Sequence, residues 1–294
     1  MYRDEFPSKL AMHLRRAVLL AAALAAALGG VGCKAKAEPV GRLEAGATTI
    51  SLAYPECTTI ALTWRPTTAL AGLRGHPRVF VHLLRPGRTL VRTFDHDLPR
   101  PWVPDIAQTD DADLCQSALA EPLAAGTYDL TVGLYDDASG ARFPLVVGGD
   151  EFGPSEYRVA AVDVPMERSN VPGFDFSSGW GPLAGGADKQ VLARRWLFGS
   201  GALRLTAVDA PGVARLALRV PEPGPIRVRV SSTCVQGWGV TLGPGPSILR
   251  APVGGGLPDG TCELHFAPEF PSGIQPGSRS VGIENLAWIP SASK

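Results

Sequence analysis

Residues able to do chemistry are spread thinly through this chain of 294 residues. His82, Asp95, His96 and Asp97 combine imidazole and carboxylate, the donor set of many transition-metal sites. Strand alternation puts Phe80, His82 and Leu84 on one face, however, and the simplest arrangement is a structural hydrogen bond from His82 to Asp97 at a sheet edge. Asp110, Asp111 and Asp113, with Asp136 and Asp137, offer the oxygens calcium takes. They lack the spacing of an EF-hand loop, and turn-forming aspartate accounts for most of them. Glu263 and Glu284 are the candidate carboxylate pair for glycoside cleavage, though each stands alone on its own strand. There is no Gly-x-Ser-x-Gly elbow. Ser177, Ser178, Ser200, Ser231 and Ser232 fall in turns or at strand ends, and His265 sits among apolar strand neighbours. Gly254-Gly255-Gly256 has neither the lysine nor the following helix of a phosphate loop. The residues therefore assign no catalytic group, no metal and no cofactor, and an enzyme is not the favoured class.

Aromatic residues offer a better lead. Trp180, Trp196, Trp238 and Trp288 all lie in the second half. The apolar face of a sugar stacks on an aromatic ring, so an open tryptophan beside polar groups suits a glycan. Glycines flank Trp180 and Trp238, which makes these two the candidate ligand-binding platforms and leaves the other two for the core. Gln236 and Thr241 would supply hydrogen bonds beside Trp238, and Arg229 would reach an acidic sugar. Lys+Arg 28 against Asp+Glu 28 leaves no net charge. A neutral polysaccharide, bound with little salt dependence, suits that balance. A nucleic-acid partner, which needs a basic face, does not.

The elements that must position these groups read as strands. Gly 34 and Pro 27 make up more than a fifth of the chain, and hydrophobic residues at 45% suffice for real cores. Short alternating runs separated by turn residues describe an all-β protein. The central run is Gly126 to Asp136: Leu130, Val132 and Leu134 share one face, Asp129 and Thr131 the other. Tyr128 at its entry resembles the tyrosine that ties an immunoglobulin-like strand F back to its loop. Thr48 to Tyr54, Cys57 to Trp64, Arg78 to Leu84, Thr89 to Phe94, Thr109 to Asp113, Arg142 to Val147 and Glu156 to Val164 supply its neighbours. Pro165 to Asn170 reads as a linker. Further strands follow at Arg194 to Phe198, Ala202 to Ala207, Ala214 to Val220, Ile226 to Ser231, Trp238 to Leu242, Cys262 to Phe266 and Val281 to Ile289. The expected architecture is an immunoglobulin-like β-sandwich over 46–165 and a second β-sandwich or jelly roll over 171–294.

Ahead of both lies a targeting segment. Arg15-Arg16 precede an apolar run from Ala17 to Leu28, then Val31-Gly32-Cys33, with Met12 as an alternative start. A charged region, a short apolar stretch and small residues describe a secretory signal peptide. Its ending resembles that of bacterial lipoproteins, although Gly30 stands where that family usually has Leu. The resemblance implies a signal over 1–33, lipid attachment at Cys33 and a polar tether over 34–45. Four cysteines remain, Cys57, Cys115, Cys234 and Cys262, which allow three pairings. Export permits disulfides, and two cysteines per expected domain favour Cys57–Cys115 and Cys234–Cys262.

Two sets of motifs carry a wider resemblance. Val79-Phe80-Val81-His82-Leu83, Asp95-His96-Asp97, Gly126-Thr127-Tyr128, Gly133-Leu134-Tyr135-Asp136 and Gly140-Ala141-Arg142-Phe143-Pro144 resemble an uncharacterised bacterial β-sandwich domain. That domain is found C-terminal to multi-spanning glycosyltransferase-like proteins. Gly179-Trp180, Arg195-Trp196 and Arg279-Ser280-Val281-Gly282-Ile283 resemble galactose-binding-like jelly rolls. The resemblance implies a cell-envelope context and, since the membrane catalytic region is lacking, no transferase activity. The expectation is a membrane-anchored binding or assembly protein of the envelope, facing periplasm or exterior, with polysaccharide or an envelope protein as partner. The alternatives are a structural accessory subunit of an envelope complex and a carbohydrate-active enzyme.

Overall fold

The computed structural model describes residues 37–71, 77–97, 102–166, 171–184, 194–221, 226–255, 259–270 and 278–291. The signal segment, Cys33, Lys34 to Lys36, most of the expected linker and Gly256 lie outside these. The described sheets belong to one compact unit, Pro39–Lys294.

Strand alternation builds the first sandwich. Its elements are β1 (Gly41–Ala45), β2 (Thr49–Ser51), β3 (Cys57–Pro66), α1 (Thr68–Ala71), β4 (Pro77–Arg85), β5 (Thr89–Thr93), β6 (His96–Asp97), β7 (Gln108–Cys115), β8 (Gly126–Asp136), β9 (Arg142–Phe143), β10 (Val146–Val147), β11 (Glu151–Gly153) and β12 (Glu156–Val164). One sheet runs β10-β1-β3-β7. The other runs β11-β12-β8-β4-β5, with β2 beside β12, β6 beside β4 and β9 beside β8. Ile60, Leu62 and Trp64 of β3 face Val79, Val81 and Leu83 of β4 and Leu130, Val132 and Leu134 of β8 in a single core. Tyr128 donates its hydroxyl hydrogen to the Ala124 carbonyl at 2.7 Å, so the tyrosine corner is present.

Two local expectations change. Residues 41–45 are not tether: they form β1, pair with both β3 and β10, and bury Leu43 completely. The run Arg142 to Val147 is not one strand either. Pro144 has no N–H for a ladder, and the chain crosses there from β8 in one sheet to β1 in the other.

His82 does not meet Asp97, which pairs with Arg78 at 2.9 Å. The direct histidine–aspartate bond is His96 Nε2 to Asp110 Oδ2 at 2.7 Å, and it ties β6 of one sheet to β7 of the other. Burial lowers the His96 pKa, but hydrogen bonds to Asp110 and the Phe94 carbonyl, with the charges of Asp110 and Asp95, raise it overall. A histidine with a raised folded pKa contributes stability in full below its unfolded value, about 6.5, and loses that contribution as pH rises through the folded value. The thermal midpoint should therefore fall with rising pH in that window, and the fall should shrink in His96→Gln. Parallel profiles for the two proteins would contradict this assignment.

The second sandwich comprises β13 (Gly173–Phe176), β14 (Trp180–Ala184), β15 (Arg194–Phe198), β16 (Gly201–Thr206), β17 (Gly212–Val220), β18 (Arg227–Ser232), β19 (Gly239–Leu242), β20 (Gly245–Val253), β21 (Cys262–Glu269) and β22 (Arg279–Pro290). Its sheets run β13-β16-β21-β18-β19 and β14-β15-β22-β17-β20. Between them pack Leu203, Val228, Leu264 and Phe266 from the first and Leu197, Leu216, Ile283 and Trp288 from the second. Disulfides join Cys57 to Cys115 and Cys234 to Cys262, with Cα separations of 4.1 and 5.3 Å.

The two sandwiches meet over a built junction. Cys57 and Cys115 pack on Ala287, with Ile289 beside them. The Trp288 N–H donates to the Pro55 carbonyl at 2.8 Å, and the Ala118 N–H donates to the Leu286 carbonyl at 2.7 Å. Asp113 accepts from Arg215 Nε at 2.9 Å and from Arg250 Nη2 at 2.8 Å. Leu119, from the first half of the chain, packs in the second core.

Candidate functional site

Because Leu197 of β15 points into the core, its neighbours Arg194, Trp196 and Phe198 point outward, and Leu197 is fully buried while Phe198 is exposed. Opposite Trp196 on β22 stands Gly282. A Cβ there would lie 3.1 Å from Trp196 Cε3 and Cζ3 and from Arg194 Cδ. Glycine thus leaves room for the indole to lie across the neighbouring strand. The guanidinium carbons of Arg194 and Arg279 each stand 5.3 Å from the Trp196 ring centroid, within cation–π range. Arg194 Nη2 also pairs with Glu284 Oε1, which accepts from Arg219 Nε at 2.9 Å. Arg279 is exposed and has no carboxylate partner among the described residues. This outer sheet face brings together an aromatic ring, an exposed phenyl group and three guanidinium groups. Chemically it can stack a flat apolar ligand face and bind an anion or hydroxyl beside it; its one carboxylate among the described residues, Glu284, is held by Arg194 and Arg219.

The predicted ligand residues do not converge. Trp180 stands edge-on to Phe176 and Phe266 with centroids 5.3 and 5.4 Å apart. Its indole N–H is used by the Ala202 carbonyl at 3.0 Å. It closes the margin of the second core and is not an open platform. Trp238 is half-buried and also packs on that core. Gln236 beside it is exposed in the turn, with Gly237 supplying a left-handed φ of 71°. Arg229 points the other way, since Val228 and Val230 on either side are fully buried. Its guanidinium meets Glu269 at 2.6 Å. Trp196, assigned to the core with Trp288, is half-buried like Trp180 and Trp238, but its strand turns it to the outer sheet face. The signal for this was the alternation Arg194, Trp196, Phe198 around Leu197.

The other candidate chemistries dissolve in the same way. Glu263 pairs with Arg204 on the outside of one sheet, and Glu284 with Arg194 on the outside of the opposite one. The core lies between them, so they make no glycosidase pair. Asp110 is held by His96, Asp113 by the junction arginines and Thr59, and Asp136 by Ser139. Among the described residues no group of three or more His, Cys, Asp or Glu is placed to hold a metal.

One polar cluster covers the outer face of the first sandwich. His82 lies 3.6 Å from both Asp95 and Glu156. Glu156 accepts from Thr131 Oγ1 at 2.6 Å and Arg142 Nη1 at 2.9 Å. Burial raises the Glu156 pKa, but these two donors, with the charges of Arg142 and His82, bring it below the ordinary carboxylate value. The Tyr135 phenol is pushed up, chiefly by burial and by Asp95 and Asp137 against the opposing charge of Arg78. Glu156 is thus a saturated carboxylate and Tyr135 a firmly protonated phenol. With Arg142 stacked 4.5 Å above the Phe80 ring, the cluster seals that sheet face.

No family model matches the chain, and no curated protein matches it. Among solved structures it is similar to the secreted serine protease VesC from Vibrio cholerae, at 8% identity and a TM-score of 0.29, covering 83% of this chain and 49% of that one. It is similar to TmCBM61, solved in complex with β-1,4-galactotriose, at 8% identity and a TM-score of 0.25, covering 41% of this chain and 88% of that one. It is also similar to the exo-β-1,3-galactanase of Phanerochaete chrysosporium, solved with β-1,3-galactotriose, at 13% identity and a TM-score of 0.26, covering 83% and 56%. The chain thus spans about half the length of the protease, and at TM-scores of 0.25 to 0.29 these likenesses carry nothing about site or function.

Proposed function

We propose that the chain is a lipid-anchored envelope protein that binds polysaccharide through the outward face of β15 and β22. The observation that carries this reading is Trp196, laid over Gly282 on an outer sheet face and bordered by guanidinium groups and the exposed Phe198. The half-buried indole, with the Arg194 and Arg279 guanidinium carbons over it at 5.3 Å, offers a sugar an aromatic surface together with charged hydrogen-bond donors. Two disulfides favour an oxidising compartment, in keeping with export. The anchor is Cys33, carrying more than one acyl chain, since one chain alone binds a membrane only marginally. Metabolic labelling with an alkyne fatty acid should mark the wild type and spare Cys33→Ser; equal labelling of both would refute the anchor.

Binding is tested by titrating the full-length protein in detergent with envelope polysaccharides while following tryptophan fluorescence and heat. A few stacking contacts give millimolar to micromolar dissociation constants unless the ligand is multivalent. Trp196→Ala should remove binding while the protein still unfolds cooperatively at a modestly lower midpoint, and Trp238→Ala should leave binding intact. The reverse pattern would move the site to the Trp238 turn. No binding by the wild type would refute the reading in favour of a protein-docking role.

A further inference from the structure

Resting on that reading, we infer that the ligand is an acidic polysaccharide, built from sugars that carry a carboxylate. The face around Trp196 holds three cations, Arg194, Arg219 and Arg279, and one anion, Glu284, so its local charge is 3 − 1 = +2 among the described residues. The chain as a whole is neutral. The whole-chain balance, which pointed to a neutral glycan, therefore describes the average and not the site; a local field steers what binds locally.

The three arginines are not equivalent. Arg194 and Arg219 share the Glu284 carboxylate, which neutralises part of their charge and fixes them over the sheet. Arg279 has the Trp196 ring beside it and no carboxylate of its own among the described residues. Its planar fork is matched to a carboxylate that takes two parallel N–H donors. A uronate pyranose presents both features the face can meet: an apolar ring face for Trp196 or Phe198, and a carboxylate at the ring margin for Arg279. Glu284 would repel a carboxylate set deeper on the sheet, which places the acidic group at the Arg279 end.

The test compares polygalacturonate with neutral galactan on the full-length protein in detergent, at low and high salt. The acidic polymer should bind about tenfold tighter at low salt, as one charge-assisted contact allows, and the difference should shrink as salt screens it. Arg279→Gln should bring the affinity for polygalacturonate down to the affinity the same variant shows for galactan; Arg279→Lys should keep only part of the preference, because a point charge lacks the fork. Arg279 is exposed, so these variants should keep the wild-type thermal midpoint. Equal affinities for the two polymers, or an undiminished preference in Arg279→Gln, would overturn the acidic assignment while the polysaccharide reading stood. Binding of neither polymer would overturn both.

Discussion

Replacing Cys57 and Cys115 together by alanine lowers the unfolding free energy by about 4 kcal/mol in the chain-entropy account of a cross-link. The bond joins residues 58 apart in sequence, so its loss releases a long loop in the unfolded chain. The same account gives about 3.5 kcal/mol for Cys234–Cys262, whose separation is 28. The first bond has the larger structural reach as well. It joins β3 to β7 at a point where the two cysteines also pack on Ala287 of β22. Loss of this bond should therefore loosen the junction along with the first sandwich. Equilibrium denaturation without reductant measures the effect, and a loss below about 1 kcal/mol would mean that the reduced chain already holds these strands together.

Asp113→Ala should cost about 2–3 kcal/mol. The Asp113 side chain is 15% exposed and its partner Arg215 is 11% exposed, so deletion leaves a nearly buried guanidinium without its anion. Breaking a fully buried pair in this way costs about 3–5 kcal/mol, and the residual solvent access reduces that figure. Arg250 adds little, because 57% of its side chain is in water, where an ion pair is weak. Asp113→Asn keeps the shape and one acceptor and should cost less than alanine. Denaturant midpoints of the three proteins order the effects. Equal stability of alanine and wild type would show that the arginine finds water once Asp113 is gone.

This junction explains where sequence reading stopped. Alternation alone exposed the cores: Ile60, Leu62 and Trp64, or Leu130, Val132 and Leu134, can share a face only one way. Tyr128 and both cysteine pairings were legible because each needs one partner in a predictable place. Asp113 stood as one of several aspartates weighed only for calcium or a turn, since its partners Arg215 and Arg250 are about a hundred residues or more away in sequence and on a different sandwich. The same blindness affected β1, where the polar run before residue 41 disguised a strand whose two neighbours come from distant segments.

Among the tryptophans, flanking glycine was a poor guide. Gly179 and Gly181 give room for a turn, and the Trp180 ring then folds inward to meet Phe176 and Phe266. Trp196 has no flanking glycine and on that ground goes to the core, yet register decides otherwise. Leu197 claims the inside, and Gly282 makes space on the outside. A one-residue offset in a strand inverts every side chain, so the identity of the outward ring depends on pairing that local composition does not reveal.

A crystal structure of the protein with a short oligogalacturonate tests the acidic-glycan site most directly. The predicted result is a sugar ring packed against Trp196 or Phe198 on the outer face of β15 and β22, with its carboxylate on the Arg279 guanidinium. A sugar bound at Trp238, or an oligosaccharide touching neither Trp196 nor Arg279, would contradict it.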